Sequence, residues 1–256
     1  MRIIRTIAAA VLLAALPACG GDGPSEPGGT DRLDVRAESE HLVYLSATGD
    51  GVDSAWMEGY YDWVTGQLGV DPGVKLEYRK YRDRAHLQRV TGRATNGFAD
   101  PGTNRFHTIW PIDNHEIVHV LVILEIGHPP ALFNEGIAVA HQALPASGIF
   151  HAQWNGRNVH AIAAEHLAAN RIPAVSVLLQ SPDFFQLDQG FTYPVAGSFV
   201  RFLIDRYGMA PLRTYFGGST FNDAEAKSRS LFAAAYGMTL DAAWAEWRAF
   251  LAALPA

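Results

Sequence analysis

Cysteine is nearly absent from this chain: its 256 residues hold one, Cys19. A lone thiol closes no intramolecular disulfide, so no disulfide framework is available. Positive charge is also scarce, with 20 Lys and Arg against 26 Asp and Glu and no basic cluster. That balance argues against nucleic acid and against a peripheral anionic-membrane surface as partners. The opening apolar run, residues 7–16, is too short for a stable transmembrane helix. No internal repeat is present.

What is there begins with an address. Arg2 and Arg5 precede the apolar run, the pattern of a secretory leader over residues 1–18. Its loss takes the formal charge from −6 to −8. The run ends in Leu16-Pro17-Ala18-Cys19-Gly20, which resembles the lipobox of bacterial lipoproteins. That resemblance implies acylation of Cys19, export, and a lipid anchor in the cell envelope, at the outer membrane if the source is Gram-negative. Several acyl chains on one residue hold a protein firmly to a membrane, which one chain does not. The plainer alternative is an ordinary cleaved leader with a fortuitous cysteine. Residues 19–40, rich in Gly, Pro, Ser and acids, read as a flexible tether.

The remaining 41–256, in a chain 48% hydrophobic with mean hydropathy near zero, suits one enzyme-sized domain of α+β class. Alternation predicts strands at 41–47, 74–81 and 105–110, with helices at 52–68 and 84–90, so 41–127 reads as a mixed-sheet half. Residues 92–102 read as loop-rich, and 105–110 as a strand immediately before 111–126. From 128 to 256 helices are predicted throughout, including 131–142, 157–169, 194–207, 222–236 and 239–254. In the last of these Leu240, Trp244, Trp247 and Leu251 form one apolar stripe.

The organising stretch is 111–126, which carries His115, Glu116 and His119 in the order H-E-x-x-H. Asp113 or Asn114 can cap a helix there and Gly127, Pro129 and Pro130 end it. Four-residue spacing puts the two imidazoles one turn apart on one face. The segment is apolar all round, so the helix should be enclosed. Two imidazoles and a carboxylate are costly there unless something pairs with them, and a divalent cation satisfies all three. The competing reading is a pair of hydrogen-bonded core histidines. A catalytic zinc site needs a third protein ligand and an open position. Glu135, 16 residues beyond His119, is the best candidate, with Gly136 beside it allowing two helices to approach closely. Glu125 is a rival that requires a sharp turn after His119, and a third option pairs Glu135 with a basic group.

Leu132-Phe133-Asn134-Glu135-Gly136-Ile137-Ala138 is similar to the N-E-G-x-A element of aminopeptidase N-like gluzincins. The shorter His119 to Glu135 gap resembles more closely the small gluzincin-like, peptidase-MA-type domains of bacterial lipoproteins. The resemblance implies a zincin-like fold with an active-site helix ending its mixed-sheet half and an all-helical C-terminal half. It implies zinc on His115, His119 and Glu135, with Glu116 as general base toward a water whose pKa the metal lowers. It also implies a tyrosine donor to the oxyanion, for which Tyr193, in Phe191-Thr192-Tyr193-Pro194, is the match; an ordinary half-buried aromatic is the alternative. The aminopeptidases' G-x-M-E-N motif is missing, its nearest text being Gly97-Phe98-Ala99-Asp100, which argues against exopeptidase action. Residues 105–110, if they form an edge strand beside the cleft, could hold an extended peptide by main-chain hydrogen bonds, which favours endo- or oligopeptidase action on a peptide or protein substrate. Two other readings remain open: a non-enzymatic envelope lipoprotein that keeps the metal, and a zinc hydrolase of non-peptide bonds. The other eight histidines are expected at the surface or at caps.

Overall fold

Alternate side chains of two short segments point into the core and begin the sheet. Leu42, Tyr44 and Ser46 on one strand and Leu76 and Tyr78 on the next are buried, while the residues between them are half-exposed. In the computed structural model, which describes residues 32–47, 53–142 and 152–255, the strands are β1 (Asp34–Glu38), β2 (Leu42–Ser46), β3 (Leu76–Lys80), β4 (Gly97–Ala99) and β5 (Arg105–Thr108). Their spatial order is β1-β2-β3-β5-β4. The β2–β3 and β3–β5 pairs are parallel and the two outer pairs antiparallel, so the sheet is mixed. On its outer face Glu77 pairs with Arg79 and Arg105.

The parallel pairs need crossovers, and helices supply them. Helix α1 (Ser54–Leu68) is capped by the Asp53 side chain and ended by Gly69 in the left-handed region. It buries Met57, Tyr60, Tyr61, Val64 and Leu68, spaced to share one face. Helix α2 (Arg84–Thr91) starts on Asp83. After β5 come α3 (Glu116–Glu125) and α4 (Ala131–His141). A small antiparallel pair, β6 (Gln153–Trp154) and β7 (Arg157–Asn158), then leads into α5 (Val159–Ala168), α6 (Val175–Leu179), α7 (Ser181–Gln186), α8 (Gln189–Tyr207), α9 (Met209–Gly218), α10 (Glu225–Tyr236) and α11 (Leu240–Ala252). One continuous core joins the sheet's buried face to the helices, from Leu42 and Phe106 through Val118 and Phe133 to Phe199 and Trp247. No described helix is long and apolar enough to cross a bilayer.

Several expectations change. The tether does not extend to residue 40, because Asp34–Glu38 pairs with β2 as an edge strand. Nor is 105–110 an edge: β5 is bonded on both sides, and the edge is β4, inside the segment read as loop. The C-terminal half is not wholly helical, since β6 and β7 interrupt it. Helix α8 begins five residues before Pro194, because the Asp188 carbonyl accepts from the amides of Phe191 and Thr192 and starts the helix there. Tyr193 therefore lies inside that helix rather than at its mouth. The apolar stripe of α11 is buried throughout. Cys19 and the leader lie outside the described residues, as does His151.

Candidate metal centre

Three contacts place the motif. The Asp113 carboxylate accepts from the amides of His115 and Glu116, 3.0 Å each, and so caps α3 as the sequence anticipated. His115 sits at the edge of the helix and His119 one turn inside it. The Tyr60 hydroxyl lies 2.9 Å from the Asn114 carbonyl and 3.0 Å from that of His141, tying the approach to α3 to the end of α4. Between the helices Gly127 passes under α9, where an added Cβ would stand 2.2 Å from the Phe216 carbonyl oxygen. A residue with a side chain does not fit there.

Helix α4 then brings Glu135 back to the histidines. At Gly136 an added Cβ would stand 2.8 Å from the Ala196 carbonyl oxygen, and at Gly197 of α8 one would stand 2.3 Å from Val139. Glycine on each helix thus allows the close crossing that holds Glu135 in place.

Around Glu135, Nε2 of His115 is 3.1 Å from Oε2 and Nε2 of His119 is 3.3 Å from it. The two Nε2 atoms are 3.1 Å apart. Three lone-pair atoms facing one another at such distances repel unless something positive lies among them. A proton bridges one pair and leaves the third atom exposed to like charge. Donors about 2.0–2.1 Å from a tetrahedral ion stand roughly 3.3 Å apart, close to what these three show. These residues therefore fit a metal ion and form a group that could hold one. Burial works to lower the pKa of His115, yet the hydrogen-bonded Glu135 carboxylate overrides it and pushes it up to about 9. Burial would raise the pKa of Glu135, but the two imidazoles hold it well below the usual carboxylate range.

Glu116 is not among the three. Its carboxyl lies against β4, where a Cβ on Gly97 would stand 2.8 Å from Oε1. Burial, reinforced by Asp113, pushes its pKa well up. Tyr193 stacks on His115 with ring centroids 5.8 Å apart, and burial together with the Glu135 carboxylate raises its pKa, so its hydroxyl keeps its proton at neutral pH. All five residues line one cleft of about 670 Å3, with β4 along it. Glu125 is exposed at the far end of α3 and takes no part.

Gln142 was not anticipated. Its side-chain oxygen accepts from Nδ1 of His115 at 2.8 Å, and its amide donates to the Gln153 carbonyl at 2.7 Å. When the ring is neutral, as a metal ligand must be, that bond fixes the tautomer that turns the Nε2 lone pair toward Glu135. Its position two turns beyond Glu135 was the only sequence signal. Nδ1 of His119, also buried, has no such partner among the described residues. The remaining histidines are not all superficial: His86, His107 and His141 are buried, His107 between Asp100 and Tyr81. No protein family, no curated protein and no solved structure matches this chain.

Proposed function

We propose that this chain is a zinc peptidase of gluzincin type with a zincin-like catalytic domain, exported and anchored through acylated Cys19. The observation that carries the reading is the convergence of His115, His119 and Glu135 at tetrahedral spacing, with the Glu116 carboxyl on the same cleft. Two nitrogens and one carboxylate oxygen are a donor set that catalytic zinc uses. Bound there, zinc supplies Lewis acidity, polarising a carbonyl and lowering the pKa of water toward neutrality.

The chain's own groups do the rest. Burial alone keeps Glu116, held between α3 and β4, protonated; a cation on the three ligands would favour its carboxylate, which then takes the proton of the attacking water and passes it to the departing amine. Tyr193, kept protonated, donates to the developing oxyanion. The outer edge of β4 bears no strand among the described residues, so its main chain is available to an extended peptide. Gln142 holds His115 in its ligating tautomer.

Metal analysis of the purified protein tests the centre: one zinc per chain is expected, and its loss in His119→Ala. Glu116→Gln should retain zinc and lose at least about 100-fold of the cleavage rate on peptide libraries. Metal-free wild type, or cleavage indifferent to Glu116→Gln, overturns the proposal. Stoichiometric zinc without turnover supports instead an envelope protein that keeps the metal for structure or peptide binding.

A further inference from the structure

The charges lining the cleft are unlike those of the chain as a whole. Acids outnumber bases overall, yet among the described residues the only acids on the cleft wall are Glu116 and Glu135, while Arg84 and Arg93 stand on it beside β4. The other acids on the flanking segments are already engaged elsewhere: Asp100 bonds His107, and Asp113 caps α3. Neither arginine has a carboxylate partner among the described residues. Arg84 donates one bond, to the Ala94 carbonyl at 2.5 Å, and Arg93 lies over the Phe98 ring at 4.3 Å. Stacking fixes the plane of a guanidinium and leaves its edge free for a bidentate anion. With a divalent ion balancing the two glutamates, the cleft carries the net positive charge of the two arginines.

We propose that Arg93, supported by Arg84, selects peptides bearing a carboxylate on one side of the scissile bond. The exposed Trp110 ring and Phe98 offer apolar surface to the neighbouring side chain. This rests on the peptidase reading in taking a peptide as the occupant. The carboxylate is either the peptide's own C-terminus or an Asp or Glu side chain, and both offer the same two oxygens to a guanidinium.

Fluorescently labelled peptides of one apolar core test the proposal. They carry Glu, Gln or Lys at each flanking position in turn, with a free or amidated C-terminus. Binding is read by anisotropy on zinc-loaded and metal-free wild type, Arg93→Gln and Arg93→Glu, with melting curves to show that the variants fold. Carboxylate-bearing peptides should bind wild type roughly tenfold tighter than neutral ones, lose most of that advantage in Arg93→Gln, and bind more weakly than Lys peptides in Arg93→Glu. Loss of the advantage on amidation identifies the C-terminus, and loss on the Glu to Gln change identifies a side chain. Equal binding of Glu, Gln and Lys peptides that is also unchanged by amidation of the C-terminus, a preference that survives Arg93→Glu, or no binding by any peptide overturns it. Charge preference in binding without cleavage would leave this inference standing and remove the peptidase reading, and cleavage without preference would do the reverse.

Discussion

A methyl group added at Gly136 should loosen the crossing that brings Glu135 to the histidines, whereas one added at Gly59 should not disturb the fold. Both glycines are in helices, so replacement by alanine gives each about 1 kcal/mol of helix propensity. Their surroundings differ. The new Cβ at Gly136 would stand 2.5 Å from Val200 Cγ2 and 2.8 Å from the Ala196 carbonyl oxygen, while nothing lies within 4 Å at Gly59. Carbon atoms rest about 3.5–4.0 Å apart, so Val200 must retreat by about an ångström, and the Ala196 oxygen, being backbone, takes α8 with it. Overpacking of that kind costs about 1–3 kcal/mol. The propensity gain offsets part of this, leaving Gly136→Ala destabilised by up to about 2 kcal/mol and Gly59→Ala stabilised by about 0.5–1 kcal/mol. In melting temperature these correspond to a fall of up to roughly 8 °C and a rise of roughly 1–4 °C. Urea and thermal denaturation in chelator measure the fold alone, and a zinc titration then reads the centre, which should weaken only in Gly136→Ala. A Gly136→Ala protein as stable as Gly59→Ala would refute the close crossing and the placement of Glu135 that depends on it.

The other predictions concern groups around the centre. Gln142→Ala removes the acceptor that orients His115 and should weaken zinc binding about 10–100-fold while leaving the far-ultraviolet spectrum unchanged; unchanged affinity in a competition titration against a chromophoric chelator would count against that role. Burial drops the pKa of His141 to about 4, against the opposing pull of its bond to the Ile137 carbonyl. Its folded pKa lies below the unfolded value near 6.5, so the unfolded chain binds the extra proton. The associated stability is full above pH 6.5 and is lost as pH falls toward 4, by about 3 kcal/mol in all. Urea midpoints of the metal-free protein should therefore fall less between pH 7.5 and 4.5 in His141→Gln than in wild type, and equal slopes would show that the ring is not held neutral.

What could be read from the sequence, and what could not, divides along one physical line. The motif helix, α1, α4 and α11 are local amphipathic or apolar patterns with caps beside them, and so are legible residue by residue. His115, His119 and Glu135 are legible for a related reason, since helical spacing and the demands of a buried charge leave few alternatives. Strands β1 and β4 carry little pattern of their own. Val35 is 60% exposed, and Gly97 and Ala99 have almost no side chain to bury. Such strands exist because a neighbour offers main-chain hydrogen bonds, which no window of sequence contains. Gln142 reaches His115, and Arg93 reaches the cleft, through space in the same way. The chemistry of the centre is thus written in local periodicity, but the wall that would choose a substrate is made of edge strand, turn and exposed guanidinium. Changing Arg93 or Phe98 should therefore alter what binds without altering whether the chain folds, and two chains with the same H-E-x-x-H helix can differ entirely in substrate.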